Sequence, residues 1–324
     1  MPTIKDVAQR AGVTVTTVSR VLNNRGYISE QTRQKVAEAM KALDYLPNEM
    51  ARSLLRQRSN IIGLIVPAVS HPFFGELAMH IEYYAYEMGY KILLCNSHLD
   101  SAKEREYIDM LKGRKVDGII MGSHTLDVHE YQSLSMPLVS IDRKIDARIP
   151  SVSSDNRQGG LLATRRLISR GCRKLAMIAG SQQLDLFANQ RCTSFIAEAQ
   201  AHGIEHVIVQ TNLDVFDYSQ YSDLVDKLFA EHPDVDGVFT SDVKAAHVIQ
   251  GCARLGKTVP GDVKVVGYDD TQIASLLVPR LTTVRQPKEA MAKLALETVV
   301  KQIRGEPFSL ETVLPVELVD RDSA

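Results

Sequence analysis

The 324-residue sequence has no tryptophan and few aromatic residues of any kind, 6% in all. Its four cysteines, Cys95, Cys172, Cys192 and Cys252, stand far apart with no paired spacing. That pattern argues against a disulfide framework and against a thiolate zinc site, and it fits a reducing cytoplasm. No apolar run approaches the roughly 18 residues that a membrane span needs. The opening residues, Met1-Pro2-Thr3-Ile4-Lys5-Asp6, hold no apolar segment of the secretory type. Also missing are G-x-G-x-x-G, the phosphate loop G-x-x-x-x-G-K-[ST] and the G-x-S-x-G elbow. Nucleotide-dependent and serine-hydrolase enzymes therefore lack their usual markers. One string imitates a metal site, His202-Gly203-Ile204-Glu205-His206. Zinc binding needs both histidines on one helical face. Gly203 and the following Val207-Ile208-Val209 place the string on a helix-to-strand turn instead. No metal, no cofactor and no membrane partner is expected.

What is present is ordinary for a soluble globular protein, 44% hydrophobic and 24% charged. The length suggests about two domains at ~150 residues each. The net charge of −1 conceals an asymmetry. Residues 1–58 hold ten Lys/Arg against five Asp/Glu, or +5, and the remainder holds 28 against 34, or −6. A small basic head on a larger acidic body suggests a polyanion-binding module; a solvated charged face is the alternative.

The head reads as short helices. Thr3 with Asp6 three residues later is a capping pattern, followed by Ile4, Val7, Ala8 and Ala11 at helical spacing and by Gly12 as a stop. Thr14 predicts a second helix carrying Val18, Val21 and Leu22 inward, ended by Asn23-Asn24-Arg25-Gly26. Ser29 predicts a third, with Val36, Ala39, Met40 and Leu43 on one side and Pro47 breaking the pattern. This is a helix-turn-helix arrangement. Its second helix leaves Val15, Thr16, Thr17, Ser19 and Arg20 on other faces, and such side chains suit close approach to base edges in a major groove. Residues 47–58 have helix potential but are too short to hold a helix alone; they read either as a segment that orders on a partner or as a plain linker.

From Ile61 the pattern becomes alternating strands and helices. Strand candidates lie at 61–66, 91–94, 118–121, 138–141, 175–178, 207–209, 238–240 and 263–266, with helical stretches such as 74–88, 102–114, 158–170, 189–202, 218–231 and 243–255. Such units predict parallel sheet with helices on both faces, in one large sheet or two smaller ones. Asp142, Asp155, Ser241 and Asp269 follow or end strands, where open parallel sheets bind ligands. His71, before Pro72, can touch a ligand or simply be a loop histidine satisfied by water.

Beyond composition, the head resembles the lactose/galactose repressor (LacI/GalR) family. The matching run is Thr3-Ile4-Lys5-Asp6-Val7-Ala8, Ala11-Gly12-Val13-Thr14, Thr17-Val18-Ser19-Arg20-Val21-Leu22-Asn23, Tyr45-Leu46-Pro47-Asn48 and Ala51-Arg52-Ser53-Leu54. The similarity continues through Ile62-Gly63-Leu64-Ile65-Val66-Pro67, His71-Pro72-Phe73-Phe74, Val116-Asp117-Gly118-Ile119-Ile120, Ser154-Asp155-Asn156 with Gly159-Gly160, Val266-Gly267-Tyr268-Asp269-Asp270, and Leu281-Thr282-Thr283-Val284 with Gln286-Pro287. The loops around Cys95-Asn96-Ser97 and 152–156 look most like those of the sucrose- and ribose-operon repressors.

The resemblance implies a small all-α helix-turn-helix head (1–46), a hinge helix and linker (47–59), and an α/β core of two doubly wound lobes like those of periplasmic binding proteins (60–324). It implies crossings between lobes near 155, 285 and 313. It implies DNA contacts from Thr3, Val15, Thr16, Thr17, Arg20 and Asn23, and from Asn48, Ala51, Arg52 and Leu54 in the hinge, with Leu54 wedged between base steps in the minor groove. Many relatives have a larger polar residue where Val15 stands, and an apolar Val suggests contact with a thymine methyl. An effector would sit in the inter-lobe cleft against Phe73, Phe74, Asp142, Arg191, Ser241, Asp269 and Gln286. Sugar hydroxyls suit the bidentate acceptors and fork donors that Asp142, Asp269 and Arg191 provide, and an aromatic ring can cover a sugar's apolar face. Without the resemblance, these residues would read as helix caps and core. Ser241 and Ser194 depart from the family's Asn and Gly.

The function so implied is a cytoplasmic, homodimeric repressor of carbohydrate-utilisation genes that binds a palindromic operator and is gated by a small sugar or sugar phosphate. The alternative is a catabolite-control regulator answering to a phosphoprotein co-repressor. A sugar-transport receptor would need a secretion signal and no basic head. A sugar-modifying enzyme could use Asp142 and Asp269 as an acid/base pair, but no motif supports it.

Overall fold

Side-chain caps fix the first helices. Asp6 accepts from the Thr3 N–H at 2.7 Å while the Thr3 hydroxyl accepts from the Asp6 N–H at 3.4 Å. This reciprocal pair starts α1 (Ile4–Ala11), and Gly12 at φ +67° ends it. Thr14 and Ser29 cap α2 (Val15–Leu22) and α3 (Glu30–Ala42) in the same way, each accepting from the backbone N–H three residues on. Val7, Ala8, Val18, Val36 and Ala39 form the small core they enclose. In this computed structural model residues 2–46, 58–113, 116–123, 125–126, 128–180, 186–211 and 219–324 are described, and the chain divides into two compact units, Met1–Ser59 and Asn60–Ala324. Four residues assigned to the hinge, Asn48, Ala51, Arg52 and Leu54, lie outside the described residues.

The second unit contains two lobes. The first is built on β1 (Ile61–Val66), β2 (Lys91–Asn96), β3 (Gly118–Met121), β4 (Leu138–Ile141), β5 (Ser151–Ser154) and β11 (Glu311–Leu314). They form a parallel sheet in the order β11-β5-β4-β3-β1-β2. Its helices are α4 (Pro72–Glu87), α5 (Ser101–Gly113), α6 (Val128–Gln132) and α12 (Lys288–Arg304). The second lobe is built on β6 (Lys174–Ala179), β7 (Glu205–Gln210), β8 (Gly237–Phe239), β9 (Lys264–Asp269), β10 (Thr282–Arg285) and β12 (Glu317–Val319), in the order β12-β10-β9-β8-β6-β7. Only β12 runs antiparallel there. Its helices are α7 (Asn156–Ser169), α8 (Asn189–Ala201), α9 (Ser219–Glu231), α10 (Asp242–Arg254) and α11 (Gln272–Leu276).

The chain crosses between lobes at 155, at 286–287 and at 315–316, two or three residues beyond the position near 313 that the resemblance implies. The eight apolar strand candidates are all strands, and β5, β10, β11 and β12 are additional. Apolar runs such as Ile61–Val66 are buried on both faces, as a covered parallel sheet requires. The imitation zinc string is divided: His202 follows the last turn of α8, while Glu205 and His206 lie on β7. No helix among the described residues is long and apolar enough to cross a membrane.

In each lobe the strand order reverses beside the first strand, between β1 and β3 and between β6 and β8. Crevices at such reversals are where doubly wound sheets hold ligands. Residues at or just past the carboxyl ends of β1, β3 and β4 (Pro67, Ser123, Asp142) and of β6, β8 and β9 (Gly180, Ser241, Asp269) line one shared cavity.

Candidate functional site

In the head, α2 presents Val15 (40% exposed), Thr16 and Arg20 to solvent. Val18 faces inward, with Val21 and Leu22 packed beside it. Three further residues expected to contact DNA have local roles. Thr3 closes the α1 cap, Thr17 shares a hydrogen bond with the Thr14 hydroxyl at 2.9 Å, and Asn23 donates to the Ser19 carbonyl at 2.8 Å. The base-edge candidates that stand free of these caps are therefore Val15, Thr16 and Arg20.

In the core unit, all seven residues assigned to an effector line the same inter-lobe cavity of about 300 Å³. Asp142 and Asp269 leave the ends of β4 and β9 in unusual backbone conformations, φ +59° and +114°. Such strain clusters at binding sites. Arg191 comes from the first turn of α8. Its Nε donates to Asn156 Oδ1 at 2.5 Å, and its guanidinium carbon lies 3.6 Å from the centre of the Tyr268 ring. The fork is thus held over an aromatic face. Gln286, at a lobe crossing, donates to Asp269 Oδ1 at 2.7 Å and accepts from the Ser154 hydroxyl at 2.6 Å. Ser241 occupies the position before α10 and makes no side-chain cap there. Phe74 borders the cavity; Phe73 touches it too but is 4% exposed and belongs largely to the first lobe's core. The two rings meet edge to face at 5.1 Å.

Glycines set the position of Arg191. Gly160, on α7, faces α8; a Cβ there would stand 2.6 Å from the Arg191 carbonyl oxygen and 3.0 Å from its Cα. Gly159 beside it faces the Tyr268 ring, 2.6 Å from where a Cβ would lie. The pair lets the helix lie against both partners of the guanidinium stack.

The electrostatics are those of a desolvated polar site. Burial pushes the Asp142 and Asp269 carboxyls up, and the nearby Arg191 charge pulls both back. Burial drives Lys244 down to about 8 and His71 down to about 4, the latter helped by the Lys244 charge. Asp242, at the start of α10, is pushed up by burial and by the charge of Asp269. It accepts from the Thr271 N–H at 2.7 Å and from the Thr283 hydroxyl at 2.6 Å, which fixes the loop that carries Asp269.

Sequence reasoning missed several of these residues. Lys244, Tyr221, Tyr268, Thr211 and Asn156 form or brace the cavity; His71, read as either a ligand contact or a plain loop histidine, lines it. Asp155, by contrast, is a helix cap, accepting from the Gln158 N–H at 2.8 Å. Also missed were the ties across the lobes. Lys288 donates to the Asp269 and Asp270 carbonyls at 2.6 and 2.8 Å and lies 3.2 Å from Glu76, which accepts from the Gln272 N–H at 2.9 Å.

Comparison with known proteins agrees with this arrangement. Residues 3–48 match the family model of bacterial regulatory proteins, lacI family, and residues 164–324 match a periplasmic binding protein-like domain. A ribose operon repressor of Halalkalibacterium halodurans is 37% identical over 325 residues, covering 100% of this chain and 97% of that protein. A sucrose operon repressor of Pediococcus pentosaceus is 40% identical over 321 residues, covering 98% of each. Among solved structures, a complex of the transcriptional regulator CelR with cellobiose is similar over 100% of both chains, with 30% identity and a TM-score of 0.75. The chain belongs to the lacI family of bacterial regulatory proteins.

Proposed function

We propose that this protein is a cytoplasmic transcriptional repressor of carbohydrate-utilisation genes, a regulator rather than an enzyme. As a homodimer it holds a two-fold operator through its heads, and a small sugar or sugar phosphate in the inter-lobe cavity sets how tightly. The observation that carries this reading is the convergence of Asp142, Arg191, Asp269 and Gln286 at the facing strand reversals of two lobes. These acceptors and donors are fixed in advance by Asn156, Tyr268 and Ser154, so they lose little freedom when a polyhydroxylated ligand replaces water. The names of the relatives, operon repressors for ribose and sucrose, and the complex of a structural neighbour with cellobiose support the same class of ligand.

A homodimer is supported by exposed apolar side chains on the core unit. Met79, Tyr83 and Tyr86 on α4, Leu94 on β2, and Leu276 and Val278 around α11 are between 43% and 89% exposed. Val15, Thr16 and Arg20 on α2 are the base-reading set, and Asn48, Ala51, Arg52 and Leu54 form the hinge that folds on DNA. A cavity between the lobes that combines charged groups with the Phe74 and Tyr268 rings favours a small-molecule effector over a phosphoprotein co-repressor. The test is to select duplexes from a random pool with purified protein and titrate the complex with sugars and sugar phosphates. Release or tightening by one of them supports the reading; absence of a selected palindrome refutes it.

A further inference from the structure

The cavity has two chemically different ends. At one, Arg191 and Gln286 face the carboxylates of Asp142 and Asp269. At the other stands Lys244, in the first turn of α10. Its Nζ lies 3.3 Å from the Thr211 hydroxyl and 5.5 Å from the centre of the Tyr221 ring. His71, from the opposite lobe, is close enough to feel the lysine charge. Among the described residues no carboxylate pairs with Lys244, in contrast to Lys174 and Lys288, which each meet one within 3.2 Å. An ammonium held out of bulk water with no carboxylate in contact is costly, and burial drives it down to about 8 against the opposing pull of the Asp269 charge.

Three helices add to the same polarity. α4, α8 and α10 all begin at the cavity wall, with His71, Ala188 and Ser241 in the position before the first turn. None of these residues makes a side-chain cap, whereas Thr3, Thr14, Ser29 and Asp155 cap their own helices. Each helix N-terminus at the cavity wall is a region of positive potential; at α8 the amides of Asn189, Gln190 and Arg191 already donate to the carbonyls of Leu186, Phe187 and Ala188, which leaves α4 and α10 as the ends to consider. A lysine, a hydroxyl and helix N-terminal amides are a donor set suited to a compact, highly charged anion.

Building on the proposed effector site, we propose that its natural ligand is a sugar phosphate, with the phosphate monoester against Lys244 and Thr211 and the sugar hydroxyls against Asp142, Asp269 and Arg191. A carboxylated sugar shares part of this chemistry but brings less charge and fewer acceptor oxygens.

Calorimetric titration of the full chain with matched pairs tests this: glucose and glucose 6-phosphate, fructose and fructose 6-phosphate, ribose and ribose 5-phosphate, with glucuronate and inorganic phosphate alongside. One phosphate should bind at least about tenfold more tightly than its parent sugar, the effect of one charged hydrogen bond. Lys244→Met should bring that pair to within about threefold, while Lys244→Arg keeps most of the gap, since arginine retains the charge and the N–H donors that methionine lacks. Thermal unfolding without ligand identifies any variant that has lost its fold, and Lys244→Arg then carries the comparison. Parent sugars that bind as tightly as their phosphates and still release the operator would overturn this inference and leave the proposed function standing. So would a gap that survives in Lys244→Met. Glucuronate equal to glucose 6-phosphate would overturn the phosphate assignment. If no sugar of either kind binds, the effector reading of the cleft falls and this inference falls with it.

Discussion

Gly160→Ala is a one-methyl perturbation whose effect can be worked out from contacts. The new Cβ would lie 2.6 Å from the Arg191 carbonyl oxygen, where ordinary contact begins at 3.4 Å, so α7 and α8 must part by about 0.8 Å at that point. The Ser194 hydroxyl also lies in the way, but it is a side chain and can turn aside; the Arg191 backbone cannot. Overpacking of this kind costs about 1–3 kcal/mol, which for a unit of this size lowers Tm by roughly 2–12 °C. The displaced residue is the one whose fork faces the cavity, so effector affinity should fall by about tenfold or more while operator affinity without effector holds. Differential scanning calorimetry and effector titration read the two effects. Gly160→Ala/Ser194→Gly removes the movable obstacle and keeps the fixed one, so most of both losses should persist. Full recovery in the double variant, or a silent Gly160→Ala, would refute the close helix contact as the device that positions Arg191.

Three other outcomes follow from the same contacts. Arg191→Ala removes a charged donor worth about 1.5–3 kcal/mol, so effector binding should weaken roughly 10- to 150-fold with operator affinity retained; unchanged release by effector would reject its role. Arg20→Ala should cost about 1–3 kcal/mol of operator discrimination in anisotropy titrations, and equal losses on random duplex would reduce Arg20 to a phosphate contact. Affinity for a sugar phosphate should fall as pH rises through about 8, because Lys244 must be protonated to bind it and is held near that value by burial. The charged and titratable groups around Lys244, namely His71 on the opposite lobe, Tyr221 on α9, Arg191 on α8 and Asp269 at the end of β9, should leave the fall centred there; a flat profile from pH 7 to 9 would contradict it.

Much of the scaffold was legible where one local signal suffices. Thr3 with Asp6, Thr14, Ser29 and Gly12 marked helix ends correctly, because capping involves residues at most three or four apart. Runs such as Ile61–Val66 and Gly118–Met121 marked buried strands. Ser151–Ser154 did not, since it is a fully buried strand made mainly of serines, and its place comes from β4 and β11 on either side and from the bond of Ser154 to Gln286. The Met291, Ala292, Ala295, Leu296 and Val299 stripe of α12 has ordinary helical spacing; what it packs on, the sheet of the first lobe, depends on a chain crossing that spacing does not encode.

The cavity divides in the same way. Asp142 and Asp269 showed as polar residues at strand ends, whereas Arg191 and Gln286 were reached through family resemblance alone. Lys244 and His71 lie 173 positions apart in sequence and gain their meaning only from lobes that face each other. Nothing local distinguishes Lys244 from a solvated helix lysine. Its unusual protonation is a product of burial.

The central claim is a thermodynamic link between cavity and operator, and reciprocal titration measures it most directly. Operator affinity is determined with and without saturating effector, and effector affinity with and without operator, under the same salt. The account predicts one and the same factor in both directions, between about 5 and 150. Tight binding of both ligands with a factor of one would contradict it.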